Sequence, residues 1–159
     1  MEHNPYAKFL DDRPTLSILQ STATKLGQLT GTLSVEKLDA PPAPGKWSIR
    51  EIVAHLADCE IVFSFRLRQA LSENHPTIQP FAQGVWAERY AAYAFASAMT
   101  LFQAGRNWNL KLLASVSEAD KLRPTTHPER GTMTFWTIVE TMAGHDINHL
   151  QQIERIVAS

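Results

Sequence analysis

Four proline-bearing breaks constrain this chain more than any other feature. Pro14 follows Asp11 and Asp12, and then come Asp39-Ala-Pro-Pro-Ala-Pro-Gly45, Glu73-Asn-His-Pro-Thr-Ile-Gln-Pro80 and Arg123-Pro-Thr-Thr-His-Pro-Glu-Arg-Gly131. Proline fixes φ and lacks a backbone N–H, so no helix passes through these stretches. The four segments between them all repeat apolar residues every three or four positions. About Thr15 to Leu33 the repeat is Leu16, Leu19, Ala23, Leu26, Leu33. The second segment opens on Ser48-Ile-Arg-Glu51, a capping box in which hydroxyl and carboxylate satisfy each other's orphan N–H groups, and continues through Ile52, Leu56, Phe63 and Leu67. The third, about Ala94 to Val116, runs Phe95, Met99, Phe102, Arg106, Asn109, Leu113, Val116; the fourth, about Thr134 to Val157, runs Ile138, Met142, His145, His149, Gln152, Ile156. Steps of four and three predict seams of packed helices. No period-two alternation persists, so strands are not expected.

These four helices predict an all-α four-helix bundle, one domain over residues 1–159. The connection from about Ser72 to Tyr93 is long enough to run back along the bundle, which sets helices two and three parallel in an up-down-down-up order. Hydrophobic residues make up 44% of the chain, enough for a core. Fifteen basic against 16 acidic residues, with no basic cluster, argue against a nucleic-acid partner. There is no apolar run of about 18 residues and no basic-then-apolar leader, so the expectation is a cytoplasmic protein with no membrane partner. With one cysteine, Cys59, no intrachain disulfide or cysteine-based zinc knuckle is available. Any metal would be held by histidine and carboxylate.

Histidine supplies the chemistry. At about 100° per residue, His145 and His149 point about 20° to either side of Ile138, at the centre of the apolar face. Two core imidazoles one turn apart need partners for four ring nitrogens, and one metal ion satisfies both rings. His55 lies seven residues after the cap at Ser48, about 10 Å along its helix, a depth that an antiparallel helix four matches at these two histidines. Cys59, one turn after His55, is a less favoured fourth ligand. His3 and His75 read as surface residues.

At these residues the chain resembles the DinB/YfiT-like superfamily of metal-dependent enzymes. The matching motifs are Lys46-Trp-Ser-Ile-Arg-Glu-Ile-Val-Ala-His-Leu-Ala-Asp-Cys-Glu60 with Arg66, then Trp86, then His127-Pro-Glu-Arg-Gly131, then Ala143-Gly-His-Asp-Ile-Asn-His-Leu-Gln-Gln-Ile153. The resemblance implies an up-down-down-up bundle, a divalent metal on His55, His145 and His149, and a homodimer. It leaves the reaction open among thiol-dependent S-transfer, isomerisation and hydrolysis.

Three protein nitrogens leave a coordination position open, as catalytic sites do. Such a set suits zinc, nickel, copper or iron, with zinc or nickel leading. The ion can activate water for hydrolysis or hold a low-molecular-weight thiol cosubstrate for transfer to a small molecule. Asp58 and Asp146 are candidate catalytic residues, as bases or as partners of the imidazole N–H groups, and Gln152 is a further orienting group. The alternatives are a non-catalytic metal-binding or stress-related bundle and a metal-free interaction module. Glu60 and Arg106, each 12 positions from its helix start, predict a buried ion pair beneath the metal. Trp86 can wall the pocket. His127, at the far end from the ligands, fixes the turn into helix four. Trp136 and Ile147 on the polar face of helix four hint at the dimer contact.

Overall fold

The computed structural model describes residues 3–159. Its long helices are α1 (Thr15–Thr30), α3 (Ile49–Ser72), α5 (Phe95–Leu113) and α7 (Phe135–Ala158), and they form a four-helix bundle. Three short helices fill connections: α2 (Val35–Asp39), α4 (Gln83–Ala87) and α6 (Glu118–Lys121). The cap at Ser48 forms as the sequence predicts, its hydroxyl accepting from Glu51 N while the Glu51 carboxylate accepts from Ser48 N. Thr134 caps α7 by accepting from Thr137 N. None of the helices among the described residues is long and apolar enough to cross a membrane.

The expectation of no strands needs correction. Pro124–His127 (β1) pairs antiparallel with Gly131–Thr134 (β2), and Thr77 bridges to Thr126 from the returning segment. Each strand has four residues, too few for alternation to show, and the turn between them ends on Gly131 at φ +81°, a conformation glycine adopts without a Cβ clash. The dimer contact expected at Trp136 and Ile147 also fails on its premise. Ile147 is buried in the core because that face of α7 is covered by α1, and Trp136 is half-buried beneath the Lys121 ammonium, 4.6 Å from its ring centroid.

The apolar core comes in two clusters. One gathers Ile18, Leu19, Phe63, Leu67, Leu113, Phe135, Met142 and Ile147; the other gathers Leu26, Ile52, Leu56, Phe102, Leu150 and Ile153. Near the junction of the two sets each long helix carries buried polar residues: Thr22, Glu60, Arg106 with Asn109, and Asp146. Contacts advance together along α3 and α5, Glu60 meeting Arg106 and Ser64 meeting Asn109, so these helices run in the same direction. Along α3 and α7 they run oppositely, with Thr141 of α7 lining one cleft with Phe63 while His55 lies beside His149.

Arg106 joins all four helices. Its Nε faces both Glu60 oxygens at 3.2 Å, and its Nη2 donates to Glu60 Oε2 at 2.9 Å and to Asp146 Oδ1 at 3.1 Å. Nη1 donates to Asp146 Oδ2 at 2.6 Å and to the Leu19 carbonyl at 3.1 Å. Every guanidinium N–H therefore has an acceptor. Thr22 donates to Asp146 at 2.7 Å, Asn109 donates to Glu60 at 2.8 Å, and the Phe102 ring lies 4.8 Å beneath the guanidinium carbon. Gly105 permits this approach, since a Cβ there would sit 2.8 Å from Glu60 Cγ. Removing one member strands buried charge, which costs about 3–5 kcal/mol. Arg106→Ala is therefore expected to lower the melting temperature by about 6–20 °C, at about 2–4 °C per kcal/mol for a chain of this size; an unchanged transition in calorimetry would contradict this account.

Candidate metal centre

The centre lies where α3 and α7 face each other midway along the bundle. Helical spacing aligns His55, Cys59 and Phe63 on α3 and His145 and His149 on α7. The three imidazoles converge, with ring centroids 5.0 Å apart for His55 and His145, 4.8 Å for His55 and His149, and 4.5 Å for His145 and His149. His55 Nε2 lies 2.9 Å from His145 Nε2. Cys59 Sγ is 3.4 Å from His55 Nε2 and 3.7 Å from His145 Nε2, so the donor atoms that lie within 4.8 Å of one another are those of His55, Cys59 and His145, while His149 joins them by ring proximity and stands outside that group.

Tautomers favour lone pairs at the centre. His149 Nδ1 lies 3.0 Å from Gln152 Oε1, an acceptor, so it carries the proton and leaves Nε2 free. His55 Nδ1 lies 3.2 Å from the Tyr90 hydroxyl. A separation of 2.9 Å between the Nε2 atoms of His55 and His145 is bridged by a shared proton or by a cation, and imidazole nitrogens beside a thiol are a donor set that zinc-type ions accept. Burial strengthens the fit. It lowers the pKa of His55 from 6.5 to about 3, with His149 adding to the effect, and it pushes His145 and His149 down as well. It also drives the Cys59 thiol far above its ordinary range.

Aromatic rings enclose the imidazoles. Tyr6 meets His145 edge-on at 5.0 Å, Trp47 lies 5.0 Å from His55, and Phe63 lies 6.1 Å from His145. Tyr90, fully buried in the short 3-10 turn Tyr90–Ala92, packs against both Trp47 and His55. Periodicity could not single out Tyr6 or Tyr90, because both come from irregular segments; Trp47 carried a signal only as the residue before the capping box. Close approach of the segment carrying Tyr6 depends on Gly144, where a Cβ would meet the Tyr6 carbonyl oxygen at 2.5 Å.

The two aspartates part company. Asp58 is half-buried beside two clefts, of about 250 and 390 Å³, the second walled by Trp86 and Arg89. Burial raises its pKa, opposed by a hydrogen bond with the Tyr90 phenol. Asp146 is not available as a base. Both its oxygens are bound by Arg106 and Thr22, and it is 1% exposed. Its side chain braces α7 next to His145, so the catalytic reading of this residue is corrected to a structural one. His127 lies at the hairpin, where its Nδ1 accepts from Glu129 N and holds the turn.

The depressed histidine pKa values set an acid limit on the metal-free fold. Above pH 6.5 His55 is neutral in both states; below it the unfolded chain takes up a proton that the folded chain refuses down to about 3. Stability therefore falls as pH drops through this window, by about 2 kcal/mol at pH 5 for His55 alone. Chelated protein is expected to melt at least about 4–8 °C lower at pH 5 than at pH 7, and His55→Asn is expected to shrink the difference. A pH-independent transition would show that these rings are solvated.

Comparison with known proteins places the chain. The family model described as the DinB superfamily matches residues 18–153. A protein of Oceanobacillus iheyensis named "putative metal-dependent hydrolase" is 29% identical over 151 residues, spanning 94% of this chain and 83% of its own. One of the same name from Bacillus mycoides is 27% identical over 137 residues, 85% of this chain and 79% of its own. Among solved structures, YfiT from Bacillus subtilis, described as "a probable metal-dependent hydrolase with an unusual four-helix bundle topology", aligns with a TM-score of 0.79 at 24% identity, covering 89% of this chain and 84% of that one. The chain belongs to the DinB superfamily.

Proposed function

We propose that this protein is a metal-dependent hydrolase of a small molecule, with His55, His145 and His149 holding one divalent ion, zinc or nickel. The observation that carries this reading is the meeting of three buried, neutral imidazoles with two Nε2 atoms 2.9 Å apart. The names of the Oceanobacillus and Bacillus relatives support the reaction class. A divalent ion held there supplies a Lewis acid that polarises a scissile bond and makes water nucleophilic near neutral pH.

The chain's own groups do the rest. Gln152 fixes the His149 ring through Nδ1, and Tyr90 braces His55 in the same way. Tyr6, Trp47, Phe63 and Tyr90 keep bulk water from the imidazoles, which strengthens any charge interaction inside. Asp58, steadied by the Tyr90 phenol at the mouth of the clefts, is the group that accepts and returns a proton; burial brings its pKa closer to the working pH. Cys59, protonated in the metal-free protein, lines the cluster as a neutral thiol. The second partner in this reading is another copy of the chain, through the exposed apolar side chains Ile61 and Phe65 of α3 and Leu101 and Trp108 of α5.

Untagged protein is expected to hold about one zinc or nickel per chain, and His149→Ala to lose it while remaining folded. Ester and amide substrates should turn over before chelation and not after. Asp58→Asn is expected to cut turnover by about 10²-fold or more at unchanged metal content. Turnover of a thiol with an electrophile in place of hydrolysis would move the assignment to S-transfer. Metal binding without either activity would leave a storage or structural role.

A further inference from the structure

Beyond the imidazoles, toward the C-terminal end of α3 and the start of α7, these helices and the hairpin enclose a second group of polar side chains that the hydrolytic reading does not use. Arg66 of α3 is 7% exposed, and its Nη2 donates to the Gln79 carbonyl at 2.7 Å, yet its Nε is buried with no partner. Among the described residues no carboxylate pairs with it, an unusual state for a buried guanidinium. Arg66 shares a small cleft with His127 and Arg130. Because His127 Nδ1 accepts from Glu129 N, its proton sits on Nε2, making that atom a donor. Arg130 is half-buried and makes no side-chain hydrogen bond among the described residues. The residues lining the cleft include two cations and no acid; Glu129 is the acidic group near His127. The arginine charges meet in this cleft: Arg66 is pushed down by burial and then by Arg130, and His127 by burial and then by Arg130 and Arg66.

We propose that this cleft is a carboxylate-binding site, seating the acidic end of the small molecule whose other end reacts at the imidazoles. The chemistry selects the ligand. An unpartnered Nε–H, a second guanidinium and a ring N–H together make a donor set for an oxyanion. The interior measures about 10 Å³, the space of about one water-sized oxygen, so a single anionic oxygen is what enters among these donors, and the planar guanidinium fork matches a carboxylate. Position ties it to the metal centre, since Phe63 lines the cleft and also lies 6.1 Å from the His145 ring, and Thr141 lines it one turn before His145. Thr141 lies four residues, about 6 Å along α7, from His145, and Arg66 lies 11 residues, about 16 Å along α3, from His55, so the carboxylate sits on the order of 6–16 Å from the reacting end. That second clause rests on the hydrolytic reading; the anion site itself does not.

The test is an acetate titration of metal-free protein at constant ionic strength, read on the Arg66 Nε–H resonance by NMR. A saturable shift is expected in the native chain and in His149→Ala, weakened at least tenfold in Arg130→Gln, a change that removes no hydrogen bond from the fold. Absence of a saturable shift, an equal shift in Arg130→Gln, or tighter binding of inorganic phosphate would overturn the proposal. Loss of acetate binding in His149→Ala would put the anion on the imidazoles and also overturn it. Acetate binding that persists in a protein unable to take up zinc or nickel would uphold the anion site while removing the hydrolytic reading.

Discussion

The arginine at the middle of α5 organises the molecule. Taking one guanidinium and two carboxylates out of water is costly, and the cost is offset only when every N–H and most oxygens are paired in good geometry. Arg106 reaches that condition by drawing one group from each long helix: the Leu19 carbonyl, Glu60 and Asp146, with Thr22 and Asn109 completing the carboxylates. A slip of any helix along its axis by one turn would leave a buried charge without its partner. An all-apolar bundle tolerates such slips far better, so this network sets register, and the two apolar clusters on either side supply the bulk of the burial.

Register is what the metal centre needs. Glu60 follows Cys59, and Asp146 follows His145, so the turns of α3 and α7 that are locked to Arg106 on one side present imidazoles and thiol on the other. A slip of one turn, about 5.4 Å, would separate the Nε2 atoms of His55 and His145 beyond any shared ion. The buried ion pair and the histidine cluster therefore solve one problem together: the first holds the backbone at the depth the second requires. This explains why Asp146, next to a histidine of the cluster, faces away from it.

How much of this is legible in the residues depends on whether a helix carries them. Periodicity turns spacing into direction and depth, so the bundle, the level match of His55 with His145 and His149, and the pairing of Glu60 with Arg106 all follow from counting. Asp146 shows the limit. A carboxylate adjacent to a histidine has the same spacing whether it turns to the ring or to an arginine, and only the third helix's position decides. Ile147 failed for a related reason, because the face of α7 that looks polar in isolation lies under α1. The hairpin and the rings of Tyr6 and Tyr90 were out of reach, since short irregular segments have no period and take their place from tertiary closure.

That closure determines how a reactant reaches the centre. Tyr6 stands over His145, and Trp47 and Tyr90 stand over His55, leaving the three imidazoles at most 6% exposed. The clefts that flank this enclosed centre differ in chemistry. Those at Asp58, Trp86 and Arg89 are wide enough for a small molecule. The one between α3, α7 and the hairpin holds the space of a single oxygen and is lined by cations. The segment over His145 lies before residue 18, where the superfamily match begins, and it is held by His3 on the Arg130 carbonyl, by the close passage of Tyr6 over Gly144, and by Phe9 and Leu10 packed on the core. Its contact with Arg130 ties the cover of His145 to the hairpin that carries the cationic cleft, so one short segment joins the two sites.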